Sequence, residues 1–342
     1  MTNVIKIGIL GAGTWGVALA KMLSNEGKSV TVWSAIEKEI DELQKTRRHP
    51  NLVDIDLPPE IAYTKDIEKA CVGMDIVVFA VPSPFVRITA TKAAPYLRDG
   101  QTVVDVAKGI EEETHLTMTE ILRDEIKNAD IKIVALSGPT HAEEVVIGLP
   151  TAIVSASQDI SAAELVQRVF TTDYLRVYTN DDVRGVEICG ALKNVIALAS
   201  GIATGLGCGD NARATLITRG IAEISRLGIA MGCREQTFGG LAGIGDLIVT
   251  ATSMHSRNYR CGILIGKGMS VDEARKHIGM EVEGLNALPT AMSLSKKYNV
   301  EMPIVEMVHG VVSGALDVSN AVHTLMSREQ KSEIGAAAFS QK

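Results

Sequence analysis

A glycine-rich turn near the N-terminus constrains the fold of this chain more than any other feature. The apolar run Lys6–Leu10 ends in Gly11-Ala-Gly-Thr-Trp-Gly16, and a helix-forming segment follows at once. In such a turn Gly11 permits the tight bend, Gly13 lets backbone amides approach a pyrophosphate, and Gly16 lets the helix pack on the strand. The helix N-terminus adds unpaired N–H groups and partial positive charge. The stretch predicts a bound dinucleotide; the alternative is a strand–helix connection that binds nothing.

Strands and helices alternate over the first half of the chain. Residues 74–83 form an almost unbroken apolar run, which is typical of a strand buried on both faces of a parallel sheet. The remaining predicted strands are 29–33, 102–106, 131–136, 151–155 and 175–178, and the predicted helices between them include 36–44, 84–97 and 112–127. This alternation predicts an α/β fold with a Rossmann-type doubly wound sheet over residues 1–181.

The pattern changes at about residue 182, where strand-like runs end. Helical segments broken by glycine clusters follow, at 183–204, 211–231, 259–277, 284–298 and 303–325. We therefore expect an all-α C-terminal domain over residues 182–328 and a flexible tail at 329–342. Because no Gly/Ser/Pro linker separates the halves, the helix at 183–204 is expected to join them.

Composition narrows the class of protein. The net charge of -7 and the 4% aromatic content argue against a nucleic-acid surface. The first strand begins almost at the N-terminus, which leaves no room for a signal peptide, and the most apolar stretch, 195–206, is too short to span a bilayer. The 5 cysteines are scattered and the 7 histidines lack metal-ligand spacing. We expect a cytoplasmic protein with reduced thiols and no metal.

Lys193 is the most unusual residue of the second half. It lies in a predicted helix that is apolar nearly all round, and a buried lysine must be paired or partly neutral. Such a lysine can serve as a proton donor or acceptor near neutral pH. The alternative is a lysine whose ammonium reaches the surface past small neighbours.

Three further sites could act with it. Lys108 ends a predicted strand at the edge of the sheet where ligands bind, although it could be an ordinary loop lysine. Asp246 follows the flexible turn Gly243-Ile-Gly and could pair with Lys193 or merely cap a helix. Ser256-Arg257-Asn258 groups donors suited to a phosphate, or forms a solvated helix start.

The end of the second predicted strand does not decide which dinucleotide binds. An acidic residue there suits the ribose of NAD, and an arginine suits the 2′-phosphate of NADP. Here the strand runs into Ser34-Ala35-Ile36, with Glu37 and Lys38 beyond. The sequence is therefore compatible with either NAD or NADP as the cofactor.

Several separated motifs, in order over about residues 4–325, together resemble the bacterial type of the NAD(P)-dependent glycerol-3-phosphate dehydrogenase family. These motifs are Gly11-Ala-Gly-Thr-Trp-Gly16, Val81-Pro-Ser83, Lys108-Gly109, Ser137-Gly-Pro-Thr140, Gly190-Ala-Leu-Lys-Asn194, Asn211-Ala-Arg213, Gly243-Ile-Gly-Asp246, Ser256-Arg-Asn258 and Glu283-Gly284. Two positions depart from the family pattern: Ala35 replaces a frequent His or Arg, and Glu281 replaces an apolar residue.

The resemblance implies a role for each matching residue. Lys193 would be the catalytic proton donor and acceptor, and also a substrate contact. The other substrate contacts would be Lys108, Gly138, Thr140, Asp246, Ser256, Arg257 and Asn258. The cofactor contacts would be Gly11, Gly13, Thr14, Trp15, Gly16, Lys108, Ala142, Arg257 and Glu283.

The implied reaction is hydride transfer between NAD(P)H and dihydroxyacetone phosphate, giving sn-glycerol 3-phosphate for phospholipid synthesis, in a homodimer. Two alternatives are a related dehydrogenase, such as ketopantoate reductase or a 6-phosphogluconate enzyme, and a dinucleotide sensor without catalysis. The phosphate-suited loop at 256–258 and the run around Lys193 favour the first reaction.

Overall fold

The structure, a computed structural model, describes residues 4–128, 130–330 and 332–333. Its first half is one sheet of eight strands in the order β3-β2-β1-β4-β5-β6-β7-β8. The strands are β1 (Lys6–Leu10), β2 (Ser29–Trp33), β3 (Ala62–Thr64), β4 (Ile76–Phe79), β5 (Thr102–Asp105), β6 (Lys132–Ser137), β7 (Thr151–Ala156) and β8 (Leu175–Asn180). The predicted Rossmann-type fold class is confirmed.

Helices cover both faces of the sheet and form the whole second half of the described chain. In the first half they are α1 (Thr14–Asn25), α2 (Glu37–Thr46), α3 (Val86–Ala93), α4 (Met118–Glu125), α5 (Ala142–Val145) and α6 (Ile160–Phe170). In the second half they are α7 (Val183–Gly205), α8 (Asp210–Ala230), α9 (Glu235–Phe238), α10 (Asp246–Thr252), α11 (Arg257–Gly266), α12 (Val271–Ile278), α13 (Glu283–Tyr298), α14 (Pro303–Val312) and α15 (Val318–Met326). A π-helical turn, Leu241–Gly245, leads into α10.

Alternate side chains of each central strand enter different cores, and this is why the strands read as continuous apolar runs. In β4, Ile76 and Val78 pack with the core that includes α1 and α6. Val77 and Phe79 pack on the opposite face, with side chains of α3 and α4. Because both faces are covered, all four residues are fully buried.

The sheet differs from the predicted pattern in two places. β7 runs antiparallel to β6, whereas the other neighbouring strands are parallel. The connection at 138–150 contains only the four-residue α5, so the chain returns from the edge where β6 ended instead of crossing the sheet. The three-residue β3 escaped prediction because it has too few residues to show a period.

Several predicted helices have different limits in the structure. The segment 112–127 is helical only from Met118, where Thr117 and Glu120 form a capping box. The segments 259–277 and 303–325 are each two helices, divided after Gly266 and Val312. The short helices α5, α9 and α10 and the longer α6 were not predicted. The predicted tail at 329–342 includes residues 331 and 334–342, which lie outside the described residues.

α7 is the central helix of the second half and also packs against β6. It has 23 residues, more than the apolar stretch 195–206, and is apolar enough to cross a membrane by length and composition alone. Its most apolar window is 100% buried inside the protein, as in the core helix of a soluble protein.

α7 and α11 approach each other closely at glycines, and side chains such as Tyr259 and Thr204 also join them. A Cβ built on Gly201 would lie 2.1 Å from the Tyr259 carbonyl oxygen, and one on Gly262 would lie 2.3 Å from that of Leu198. Gly205 and Gly266 meet the partner helix in the same way one turn later. The two backbones therefore lie in direct contact along two turns.

Candidate functional site

The glycine turn is shaped as the sequence predicts. Gly11 has a φ of +128°, and a Cβ there would lie 2.6 Å from the Ala80 backbone. A Cβ on Gly16 would lie 2.2 Å from the Gly11 oxygen, whereas one on Gly13 would meet nothing within 4 Å. α1 begins at Thr14, with Gly13 as its N-cap and no side chain capping it. The turn therefore leaves free amides beside open space, the arrangement that suits a pyrophosphate.

Four parallel strands bring the other predicted residues of the first half to the same edge. β1, β4, β5 and β6 are mutually parallel, so their carboxyl ends lie side by side. The glycine turn follows β1, Ser83 lies beyond β4, Lys108 beyond β5, and Gly138 beyond β6. In open α/β sheets this edge is where ligands bind.

Lys193, Asp246 and Lys108 form one ion-paired cluster. The Lys193 ammonium donates a hydrogen bond to Asp246 Oδ1, and Lys108 Nζ donates to Asp246 Oδ2 at 2.7 Å. Lys108 Nζ also donates to the Gly138 carbonyl oxygen at 3.0 Å. Lys193 is 4% exposed and Asp246 is 1% exposed. The interpretation of Lys193 as a lysine that reaches the surface is therefore wrong.

Burial and neighbouring charges tune this cluster. Burial lowers the pKa of Lys193, Asp246 opposes that shift, and the Lys108 cation adds to it, so that the pKa falls to about 7. Burial alone would raise the pKa of Asp246, but the two cations outweigh it and hold the pKa below its usual range. The site thus combines a lysine that can exchange a proton near neutral pH with a carboxylate that stays charged.

Thr250 belongs to this cluster and was missed by the sequence reasoning. Lys193 donates a hydrogen bond to Thr250 Oγ1, and that hydroxyl donates in turn to the Asp246 carbonyl oxygen at 2.6 Å. The signal available in the sequence was its position four residues after Asp246, which places both side chains on one face of α10.

Glu283 lies at the start of α13 and contacts the edge of the sheet. Its carboxylate accepts from the Ser83 backbone N at 3.1 Å and from Ser83 Oγ at 2.6 Å. Burial raises the pKa of Glu283. The neighbouring Glu281 instead accepts from Asn286 Nδ2 at 2.9 Å. The structure therefore ties the start of α13 directly to the segment after β4.

Ser256, Arg257 and Asn258 have three different surroundings. Ser256 caps α11, because its Oγ accepts from the Tyr259 N–H at 3.2 Å. The Asn258 amide donates to Asn194 Oδ1 at 2.9 Å and accepts from the Gly284 N–H at 2.8 Å.

The side chain of Arg257 is half-buried, and its guanidinium makes no hydrogen bond or ion pair within the described residues. Burial lowers its pKa, while the charges of Glu283, Glu143 and Glu281 oppose that shift. Of the three residues in this loop, Arg257 is thus the one whose charged group is left for a ligand.

The segment after β6 also lies at this carboxyl edge of the sheet. Gly138 has a φ of +140°, which favours glycine, and its carbonyl oxygen accepts from Thr140 Oγ1 at 3.1 Å as well as from Lys108. Ala142 is the first residue of α5. His141 lies between them with its ring centroid 5.5 Å from that of His255.

The segment after β2 contacts an acidic residue of α2. Ser34 Oγ donates to Glu39 Oε2 at 2.6 Å, and Ala35 follows it. No group of three or more His, Cys, Asp or Glu side chains within the described ranges is arranged to hold a metal ion.

Comparison with known proteins identifies the family of this chain. Residues 6–163 match the family model for the N-terminus of NAD-dependent glycerol-3-phosphate dehydrogenase, and residues 182–323 match the model for its C-terminus. The chain is 60% identical over 333 residues to "Glycerol-3-phosphate dehydrogenase [NAD(P)+] 2" of Lactobacillus delbrueckii subsp. bulgaricus, covering 96% of this chain and 99% of that one.

Solved structures agree with the sequence comparison. The crystal structure of glycerol-3-phosphate dehydrogenase from Coxiella burnetii superposes with a TM-score of 0.89 at 36% identity, covering 95% of this chain and 99% of the other. A PanE/ApbA family ketopantoate reductase from Ralstonia eutropha, at 18% identity and a TM-score of 0.61 over 93% of this chain and 100% of that one, shares the fold alone. The chain belongs to the NAD(P)-dependent glycerol-3-phosphate dehydrogenase family, as its motifs predict.

Proposed function

We propose that this protein interconverts dihydroxyacetone phosphate and sn-glycerol 3-phosphate by hydride transfer with NAD(P)H. The observation that carries the proposal is the buried Lys193–Asp246–Lys108 cluster, whose central lysine has a pKa of about 7. Reduction of a ketone to an alcohol needs one proton for the new hydroxyl, and a lysine of this pKa can deliver it at neutral pH.

The residues of the glycine turn fit a dinucleotide. Gly13 has open space where a side chain would stand, and the uncapped start of α1 offers N–H donors to phosphate oxygens. In the proposal Gly11, Gly13, Thr14, Trp15 and Gly16 contact the cofactor from this turn. Lys108, Ala142, Arg257 and Glu283 complete the cofactor contacts. Either NAD or NADP is compatible with the proposal.

The chemistry follows from the cluster. A bound NAD(P)H supplies the hydride for the C2 carbonyl carbon of the substrate. Lys193 Nζ donates its proton to the oxygen that becomes the hydroxyl, and its positive charge stabilises that oxygen as negative charge develops there. Asp246 and Thr250 hold the lysine in place, while Lys108 keeps its pKa low enough for the proton to leave.

The substrate phosphate is held on the other side of the site. The Arg257 guanidinium makes no ion pair among the described residues. Because it is partly buried, its attraction to a bound phosphate would be stronger than in open solvent. We assign it to the phosphate, with Ser256 and Asn258 beside it. Gly138, Thr140 and Lys108 contact the substrate from the sheet edge.

The wider proposal covers the whole protein. Residues 1–181 hold the dinucleotide and residues 182–328 hold most of the substrate. The protein works in the cytoplasm as a homodimer, and its product supplies phospholipid synthesis. Family membership favours this reaction over that of ketopantoate reductase.

The deciding experiment is a spectrophotometric assay of NADH and NADPH oxidation with a panel of ketones. We expect turnover with dihydroxyacetone phosphate and little with dihydroxyacetone, which lacks the phosphate, or with ketopantoate. Turnover of ketopantoate without turnover of dihydroxyacetone phosphate would contradict the proposal. Rates at equal NADH and NADPH concentrations show which dinucleotide is preferred.

A further inference from the structure

We propose that His49 and Asn51 are positioning residues for the dinucleotide, because Asn51 is hydrogen bonded to Thr14 beside Gly13 and His49 holds the Asn51 backbone. Both lie in the irregular segment between α2 and β3, outside every motif discussed above. The inference rests on the proposed binding of a dinucleotide at the glycine turn.

His49 lies beside the glycine turn and holds Asn51. It is 8% exposed, and its Nδ1 accepts a hydrogen bond from the Asn51 backbone N at 3.2 Å. Burial lowers its pKa against the opposing charge of Glu39, so the ring is neutral at pH 7. With Nδ1 accepting, the proton lies on Nε2, and the nearby Ala12 backbone opposes the lowering of the pKa of His49 by burial. Ala12 is the residue just before Gly13.

Asn51 holds the other side. Its Nδ2 donates to Thr14 Oγ1 at 3.2 Å, and Thr14 is the first residue of α1, immediately after Gly13. A hydroxyl oxygen that accepts from Asn51 keeps its own hydrogen free to donate. The same Nδ2 lies 3.6 Å from Met280 Sδ, in the segment leading to Glu283 and α13.

The physical consequence is preorganisation. The amides around Gly13 can bind a pyrophosphate only if the turn is held open and fixed, and a glycine turn has the greatest backbone freedom to lose. Two side chains from a neighbouring loop remove that freedom before the ligand binds, which strengthens binding without any added contact to the ligand. Their loss should weaken dinucleotide binding and leave the chemical step intact.

The test uses quenching of tryptophan fluorescence by NADH and, separately, by NADPH, since Trp15 lies in the turn itself. Asn51→Ala is expected to raise the Kd about 3- to 10-fold, the effect of losing one hydrogen bond. His49→Asn keeps an acceptor near Nδ1 but loses the reach to Ala12, and we expect a similar rise. His49→Gln places an amide nitrogen near Nε2 and should recover most of the affinity.

Val53→Ala is the matched control, because Val53 lies in the same loop and is 75% exposed. Its Kd should equal that of the wild type. In steady state, Asn51→Ala should raise the KM for the dinucleotide and leave kcat and the KM for dihydroxyacetone phosphate unchanged. Melting temperatures of all variants are measured alongside.

Wild-type affinity in both Asn51→Ala and His49→Asn would overturn the inference. So would a lowered melting temperature with unchanged Kd, since that result assigns the two residues to stability alone. A wild-type protein that binds neither NADH nor NADPH would overturn the proposed function, and the inference with it.

Discussion

The glycine turn and the Lys193 cluster are built by opposite means. The turn works through missing side chains and free backbone amides within six consecutive residues, Gly11 to Gly16. The cluster works through buried charged side chains from separate elements, Lys108 after β5, Lys193 in α7 and Asp246 in α10. A site built from backbone tolerates no added atom at its crowded positions, and a site built from charges tolerates no lost partner.

Removal of Lys193 should give the largest effect. Lys193→Ala removes the proton donor, and we expect kcat to fall about 10²- to 10⁴-fold. The Kd for NADH should stay close to that of the wild type because the glycine turn is untouched. Undiminished turnover, measured by NADH oxidation, would show that Lys193 is not the acid. A large rise in Kd would show that the two regions are not separable.

Arg257 should affect substrate binding more than chemistry. Arg257→Ala removes a charged donor assigned to the phosphate, and we expect the KM for dihydroxyacetone phosphate to rise about 10- to 100-fold. The measurement is steady-state kinetics over a wide range of substrate concentrations. The control is Arg260→Ala, three residues later in the same helix. An unchanged KM in Arg257→Ala would remove Arg257 from the phosphate site.

Two glycines of one turn should respond differently to the same methyl group. Gly16→Ala places a Cβ 2.2 Å from the Gly11 oxygen, so we expect about 1–3 kcal/mol lower free energy of unfolding. Gly13→Ala meets no protein atom within 4 Å and should leave stability unchanged while raising the NADH Kd about tenfold. Denaturant unfolding and NADH titration of both variants test this contrast. Equal losses of stability in Gly13→Ala and Gly16→Ala would mean that the space beside Gly13 is not open to a ligand.

The pH dependence should differ between the two reaction directions. Reduction needs the protonated form of Lys193, so kcat/KM should fall as pH rises above about 7. Oxidation needs the neutral form, so its kcat/KM should fall as pH drops below about 7. Lys108→Met removes a cation that lowers the pKa of Lys193, and both profiles should move to higher pH. Profiles that do not move would show that Lys108 leaves the proton transfer unaffected.

The sequence predicts the glycine turn and the strands that follow because these depend on local patterns. The three glycines of the turn and the apolar run before them are enough to predict the first strand–turn–helix unit, and six of the seven later strands follow from apolar runs. The antiparallel direction of β7 could not be predicted, since it depends on where the short connection containing α5 places the chain. Thr250 was missed because its spacing from Asp246 predicts a shared helix face but does not show that a lysine of another helix contacts that face.

The direct contact between α7 and α11 has a consequence for the choice of substrate. α7 carries Lys193, about 12 Å along its axis from Gly201, and α11 begins at Arg257, five residues before Gly262. Close backbone contact, together with the hydrogen bond between Asn258 and Asn194, therefore sets the separation between Lys193 and Arg257. In the proposed function, where Lys193 acts at the carbonyl and Arg257 binds the phosphate, this separation sets the length of substrate that fits. A Cβ at position 201 would lie 2.1 Å from the Tyr259 carbonyl oxygen, so Gly201→Ala is expected to disturb this separation and to lower stability as Gly16→Ala does.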